Sequence, residues 1–257
     1  MIPFTVLDGE SLSMATIGII PARYESVRFP GKPLADILGK PMIQHVFERS
    51  RLTPGLDRLV VATDDLRIAH TVESFGGESV LTRADHPSGS DRLAEACTLL
   101  GLADDDIVVN IQGDEPLVEP VMIVRLVEAL ENHPACPMAT LAFESRNEAE
   151  YFNPNVVKVV VDRNWRALYF SRSPLPFWRD RGDAIPPFLK HLGFYAYRTG
   201  FLLKFTLLAP GDLENTEKLE QLRALEHGYS IQVGLSPMET SGVDTPDDLR
   251  AVARRLS

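Results

Sequence analysis

Apolar residues in this chain fall into short runs that alternate with stretches repeating every three to four positions, the pattern of strands alternating with helices. The runs Thr16 to Ile20, Arg58 to Ala62, Ser79 to Thr82, Ile107 to Ile111 and Met138 to Phe143 read as strands. Between them, Pro41 to Arg51, Leu66 to Phe75, Gly89 to Leu100 and Glu119 to Asn132 read as helices. Crossover units of this kind predict an α/β fold with a mostly parallel, doubly wound sheet. The run Ile107-Val108-Val109-Asn110-Ile111 is apolar on both faces, as expected for a strand covered by helices on two sides.

From Asn155 the rhythm changes. Short strands follow closely at Val156 to Val161 and Ala167 to Phe170, then a proline-rich link and the aromatic run Phe194-Tyr195-Ala196-Tyr197. This predicts a small antiparallel insertion around residues 150–200 that covers a ligand or pairs subunits. A helix from Glu214 to Glu226, a strand from Ile231 to Leu235 and a helix after Asp244 return to the core, giving one domain over residues 15–257. Residues 1–14 have no useful periodicity and are expected to form a disordered extension ahead of the first strand.

Length and composition fit that frame, since 257 residues with 44% hydrophobic content suffice for a sizeable core. No apolar run approaches the roughly 20 residues that span a bilayer, and the N-terminus lacks a signal-peptide pattern, so a cytoplasmic chain without a membrane partner is expected. Cys97 and Cys136 form no zinc or redox spacing and read as small buried hydrophobes. The formal net charge of −10 disfavours a nucleic-acid partner, which needs a broad basic field.

Cations nevertheless cluster in one place. Arg23, Arg28 and Lys32 lie in a loop directly after the first strand, stiffened by Pro21, Pro30 and Pro33 and carrying Gly31. Stiffness lowers the cost of ordering long side chains around a charged ligand, and open α/β sheets bind ligands at the carboxyl ends of their strands. Pro33 after Gly31-Lys32 excludes a Walker A loop, and no G-x-G-x-x-G opens a nearby helix, so the phosphate cradle is made of cationic side chains.

Two acidic turns add to it. In Gln112-Gly113-Asp114-Glu115-Pro116, Gly113 lets the backbone turn close to a ligand and Asp114 stands where Mg²⁺ on substrate phosphates needs an oxygen. Asp244, in Gly242-Val243-Asp244-Thr245-Pro246, either binds metal or caps the following helix. Asp64 or Asp65 reads as a cap. The loop from Thr82 to Arg92 carries small residues that allow close approach to a base or ribose.

These motifs, with Val60-Val61-Ala62-Thr63-Asp64, Ala167 to Arg172, His191-Leu192-Gly193 and Leu219 to Arg223, resemble the 3-deoxy-manno-octulosonate (Kdo) cytidylyltransferase family from about Ala15 to near the C-terminus. The resemblance implies a nucleotide-diphospho-sugar transferase type of fold, a homodimer, and Mg²⁺-dependent transfer of CMP from CTP to Kdo for lipopolysaccharide biosynthesis. It implies that Arg23, Arg28 and Lys32 hold the triphosphate and that Asp114 and Asp244 hold Mg²⁺, with Arg23, Lys32 and both carboxylates as the catalytic set. It further implies that Arg83, Ser88, Gly89 and Ser90 surround the cytosine and ribose. Gln112, Arg172, His191, Tyr195, Glu220 and Gln221 would line the sugar pocket, with His191 and Lys190 meeting the sugar carboxylate. Two alternatives share the chemistry, with an 8-amino analogue of the sugar or a sialic acid as acceptor; a third is a silent nucleotide-sugar binding module.

Overall fold

The computed structural model describes residues 14–25, 29–180 and 184–257. The chain opens with strand β1 (Thr16–Ala22), then β2 (Asp36–Ile37), β3 (Lys40–Pro41) and helix α1 (Met42–Ser50). Next come β4 (Arg58–Thr63), α2 (Leu66–Ser74), β5 (Glu78–Leu81), α3 (Gly89–Leu100), β6 (Ile107–Asn110), α4 (Pro120–Glu131) and β7 (Met138–Ser145). The insertion contributes α5 (Glu148–Phe152), β8 (Lys158–Val161) and β9 (Ala167–Ser171). Then follow β10 (Phe188–Arg198), α6 (Thr199–Phe205), α7 (Asp212–Glu217), α8 (Gln221–Glu226), β11 (Ile231–Leu235) and α9 (Pro246–Leu256).

The central sheet runs β11-β7-β10-β6-β1-β4-β5, with β8 and β9 attached beside β10. All strands of that row run parallel except β10, which lies antiparallel between β6 and β7. Alternation along each strand sends side chains to opposite faces. Ile17, Ile19 and Val108 pack with α3, α6 and α8, while Ile20, Ala22, Val61 and Val109 pack with α1, α2 and α4. Each fully buried aliphatic side chain adds about 1.5–3 kcal/mol, so apolar strands sandwiched between helices are the main source of stability. Burial also pushes the Cys97 thiol up to about 12, as for an inert core residue.

Two departures from the sequence expectation matter for function. The aromatic run belongs to β10, a long strand inside the main sheet, so only α5, β8, β9 and their links form an insertion. The helix expected over Glu214 to Glu226 is two helices, with Lys218 between them in the left-handed region at φ 53°. Arg172 donates from Nε to the Glu217 carbonyl at 2.6 Å, and the Glu226 carboxylate accepts from the amides of Leu213 and Glu214, so both ends of α7 are satisfied by side chains. The expected disorder of residues 1–14 falls almost wholly outside the described residues. Among those described, no helix is long and apolar enough to cross a membrane.

Parallel pairing of β1 with β6 brings the ends of both strands together at one edge. Gly113 crosses there so closely that a Cβ at this position would sit 2.7 Å from the Pro21 carbonyl oxygen. Backbone cannot yield as a flexible side chain does. Gly113→Ala is therefore expected to destabilise the fold by about 1–3 kcal/mol in urea unfolding; an unchanged midpoint would mean that the two loops can separate freely.

Candidate active site

Lys32 sits in a short 3₁₀ turn, Lys32–Leu34, entered through Gly31 at φ 70°. A Cβ on Gly31 would lie 3.2 Å from the Tyr24 ring, and Tyr24 is itself covered by the Arg67 guanidinium at 3.4 Å from the ring centroid. The turn is thus held against the sheet edge by a glycine-only conformation and a cation–π stack. It aims the Lys32 ammonium at Asp114 Oδ2 (2.7 Å), the Val243 carbonyl (2.8 Å) and Asp244 Oδ1 (3.5 Å).

The loop that carries Asp244 is positioned by several other contacts. Val243 N donates to the Asp114 carbonyl at 2.8 Å, Ser236 N donates to Ala142, and Lys190 pairs with Glu239 at 2.9 Å and Glu150 at 2.6 Å. Thr245 caps α9 in a capping box with Asp248, so the alternative role of Asp244 as helix cap falls to its neighbour and the Asp244 carboxylate turns to Lys32. Behind this group, Glu115 is pushed up to about 7, first by burial and then by the nearby Asp114 and Asp244 charges.

A cleft of about 310 Å³ opens over these residues, and its lining includes Arg23, Lys32, Ser88, Gly89, Gln112, Asp114 and Asp244. Ser88 caps α3, so the helix N-terminus and its amides border the cleft and favour an anionic or acceptor-rich ligand there. A wider groove of about 660 Å³ between α4 and β11 contains none of these groups, so chemistry rather than size singles out the smaller one.

Other sequence candidates lie elsewhere. Arg28 is outside the described residues. Arg83 is exposed and pairs with Asp85 at 3.3 Å, while its amide is held by Glu95. Ser90 is buried beneath the cleft and donates to Glu220 Oε2 at 2.8 Å. Arg92 and His86 line the cleft although neither was among the sequence candidates. Arg92 is buried, bonded to Thr82 Oγ1 at 2.6 Å and 3.4 Å from Asp64. An arginine at a core-facing position of α3, next to Leu93 and one turn before Ala96, is the signal available for it. Asp65 caps α2, as one of the two readings of that pair expected.

A second group gathers on the face covered by α3 and α8. Tyr195 stacks on Tyr197 at 5.9 Å and contacts the His191 ring at 5.6 Å, and His191 meets Phe170 edge-on at 5.0 Å. Glu220 and Gln221, at the start of α8, lie on this side, and burial raises the Glu220 carboxyl. Burial holds the His191 imidazole down to about 3. Lys190 does not join His191, because neighbouring residues of a strand face opposite ways and its ammonium is paired with Glu150 and Glu239. Gln112 Nε2 donates to the Gly193 carbonyl at 2.8 Å, linking the cleft to the irregular stretch between Leu192 and Tyr195 in β10. The Arg172 guanidinium is bonded to the carbonyls of Glu217 and Pro154, where it joins the insertion to α7.

Arg23, Lys32 and the N-terminus of α3 around one cleft suit a phosphorylated ligand. The chain is 68% identical to 3-deoxy-manno-octulosonate cytidylyltransferase of Syntrophobacter fumaroxidans, over 95% of this chain and 98% of that protein. It is 55% identical to 8-amino-3,8-dideoxy-manno-octulosonate cytidylyltransferase of Shewanella halifaxensis, over 93% and 97% of the two chains. The solved structure of CMP:2-keto-3-deoxy-manno-octonic acid synthetase complexed with CTP superposes with a TM-score of 0.88 at 44% identity, covering 94% of this chain and 98% of that one. Residues 17–231 match the family model described as cytidylyltransferase, and the chain belongs to that family.

Proposed function

We propose that this chain transfers the cytidylyl group of CTP to the anomeric hydroxyl of 3-deoxy-manno-octulosonate, releasing pyrophosphate. The observation that carries the reading is the convergence of Lys32, Asp114 and Asp244, with Arg23 beside them, on one cleft. In the transfer the sugar oxygen attacks the α-phosphorus, the bond from that phosphorus to the bridging oxygen of the leaving pyrophosphate breaks, and the hydroxyl proton passes to solvent. The chain's task is to hold two anions in line and offset their repulsion. Arg23 and Lys32 supply positive charge toward the triphosphate, where charge grows on the leaving pyrophosphate.

Asp114 and Asp244 suit Mg²⁺, since two hard carboxylate oxygens already converge on a single cation, the Lys32 ammonium, and Mg²⁺ commonly takes one or two carboxylates and completes its shell with phosphate oxygens and water. When bound there, the ion would neutralise phosphate charge. Lys32 would then turn from the carboxylates toward the phosphates.

The sugar would lie over Tyr195, His191, Glu220 and Gln221. Thr140 Oγ1 lies 2.8 Å from the Phe194 carbonyl and 3.2 Å from that of Leu192, acceptors that take its only proton, so it accepts from His191 Nε2–H at 2.9 Å. His191 is thus a neutral ring whose Nδ1 is an acceptor, suited to a sugar hydroxyl. The 8-amino sugar is a second reading, favoured by the buried Glu220 carboxylate beside this pocket. The insertion exposes Phe177 and Phe152, at 76% and 48%, and this apolar patch supports pairing with a second copy of the chain.

Pyrophosphate release from CTP and Mg²⁺ with Kdo, its 8-amino analogue and a sialic acid tests the activity; turnover with Kdo preferred is expected, and release with none of the three would refute it. Asp114→Ala and Asp244→Ala are each expected to lower kcat/KM about a hundredfold or more while leaving the fold intact by circular dichroism. Near-normal turnover in either would remove that carboxylate from the site. Phe177→Asp should shift the protein toward monomer in light scattering, whereas an unchanged mass would rule this patch out as the interface.

The pH dependence of stability offers a separate check. An unfolded histidine titrates near 6.5, whereas His191 stays neutral in the fold down to about 3. Between these values the unfolded chain binds the extra proton, so stability falls as pH drops through 6.5 and the loss is complete near 3. Relative to His191→Gln, the wild type should lose about 1–2 kcal/mol more between pH 7 and pH 5 in urea titrations. Parallel pH profiles would contradict a buried neutral ring.

A further inference from the structure

Three buried polar atoms near the start of α8 and the end of β6 have no hydrogen-bond partner among the described residues: Asn110 Oδ1, Glu220 Oε1 and Gln221 Nε2. Asn110 ends β6 and stands opposite Tyr195 in the antiparallel pairing with β10. Its side chain shares the face of Val108, two residues earlier, which packs with Tyr197 and Leu222 of α8. Glu220 acts electrostatically on the hydroxyls of Tyr195 and Tyr197, and its Oε1 is 3.7 Å from Arg223, beyond hydrogen-bond reach. The three atoms therefore come from a strand end and a helix start that close on the same aromatic surface.

A buried acceptor without a partner destabilises the fold that carries it. Nothing in the packing of β6 requires one at this position, because the rest of the strand is Ile107-Val108-Val109 and a leucine has the same branched side-chain skeleton as asparagine. Such a group is explained when a ligand completes it. Asn110 also lies two residues before Gln112, which lines the substrate cleft and bonds the Gly193 carbonyl, so its side chain sits beside the place where the two substrates meet.

We infer that Asn110 contacts the acceptor sugar: its Oδ1 accepts a hydrogen bond from a sugar hydroxyl, next to a second acceptor at Glu220 Oε1 and a donor at Gln221 Nε2. The inference rests on the reading of the chain as a transferase to a 3-deoxy-ulosonic acid. Two acceptors and one donor match a polyol, which offers both proton and lone pair at every hydroxyl. The contact selects for a hydroxyl in one orientation, since a site built to hydrogen-bond a hydroxyl rejects an analogue that lacks it.

The test is Asn110→Leu, which removes the acceptor while keeping the branched side-chain shape, with Asn110→Ala alongside it because deletion of atoms cannot overpack the site. Steady-state kinetics on both should show the KM for Kdo raised about tenfold with the KM for CTP unchanged. The thermal midpoint of Asn110→Leu should equal or exceed that of the wild type, the reverse of what a structural hydrogen bond predicts. A Kdo KM within about twofold of wild type in both variants, or a lowered midpoint with both KM values unchanged, would overturn the inference and leave the transferase reading intact. Failure of the wild type to turn over CTP with any 3-deoxy-ulosonic acid would overturn that reading and the inference together.

Discussion

The ammonium of Lys32 holds together parts of the chain more than 200 residues apart, meeting Asp114 and the Val243 carbonyl at 2.7 and 2.8 Å. Unpaired, two carboxylates at the edge of a sheet would repel each other. With the cation between them they form a compact, half-buried cluster whose charges are already oriented. That orientation removes much of the reorganisation that binding a nucleoside triphosphate would otherwise require. The stack of Arg67 on Tyr24 and the left-handed Gly31 serve the same end, since they fix the turn from which Lys32 projects.

The antiparallel strand β10 supplies the aromatic group linked to the cleft through Gln112. Lying between β6 and β7, it carries His191 and Tyr195 into the face that α3 and α8 cover, and its bulge between Leu192 and Tyr195 turns carbonyls toward Thr140 and Gln112. Backbone irregularity there gives up some sheet hydrogen bonding and gains two fixed side-chain contacts. The same register puts Lys190 on the opposite face, where it ties the insertion and the Asp244 loop to the sheet through Glu150 and Glu239. One strand thus carries His191 and Tyr195 on one face and braces the Asp244 loop from the other.

Much of this was legible in the residue pattern. The strand and helix rhythm through Phe143, the cationic loop after β1 and the acidic turn after β6 follow from periodicity, proline and glycine placement, and the rule that parallel strands present their carboxyl ends on one edge. Arg23, Lys32, Ser88, Gly89, Gln112, Asp114 and Asp244 meet in one cleft because each lies just beyond a strand end or at a helix start. Local sequence also encodes Thr245 as a cap through Asp248, although the choice between Asp244 and Thr245 needed the chain path.

Tertiary structure decided what local pattern cannot encode. The run Phe194 to Tyr197 reads as part of an insertion, and only pairing with β6 and β7 makes it central. Arg172 and Glu226 end and begin α7 from distant positions, so the break at Lys218 is invisible in a helical pattern that continues through it. Arg92 and Asn110 look like a surface charge and a strand residue until burial removes water from them, and His191 is neutral only because aromatic rings and Thr140 enclose it. Sequence by itself determined which segments become strands and helices and where charge collects, because propensity, periodicity and chain stiffness act over a few residues. Which side chains share a face, which lose their solvent and which atoms are left for a substrate to satisfy depends on pairings between distant segments, and these exist only once the sheet has formed.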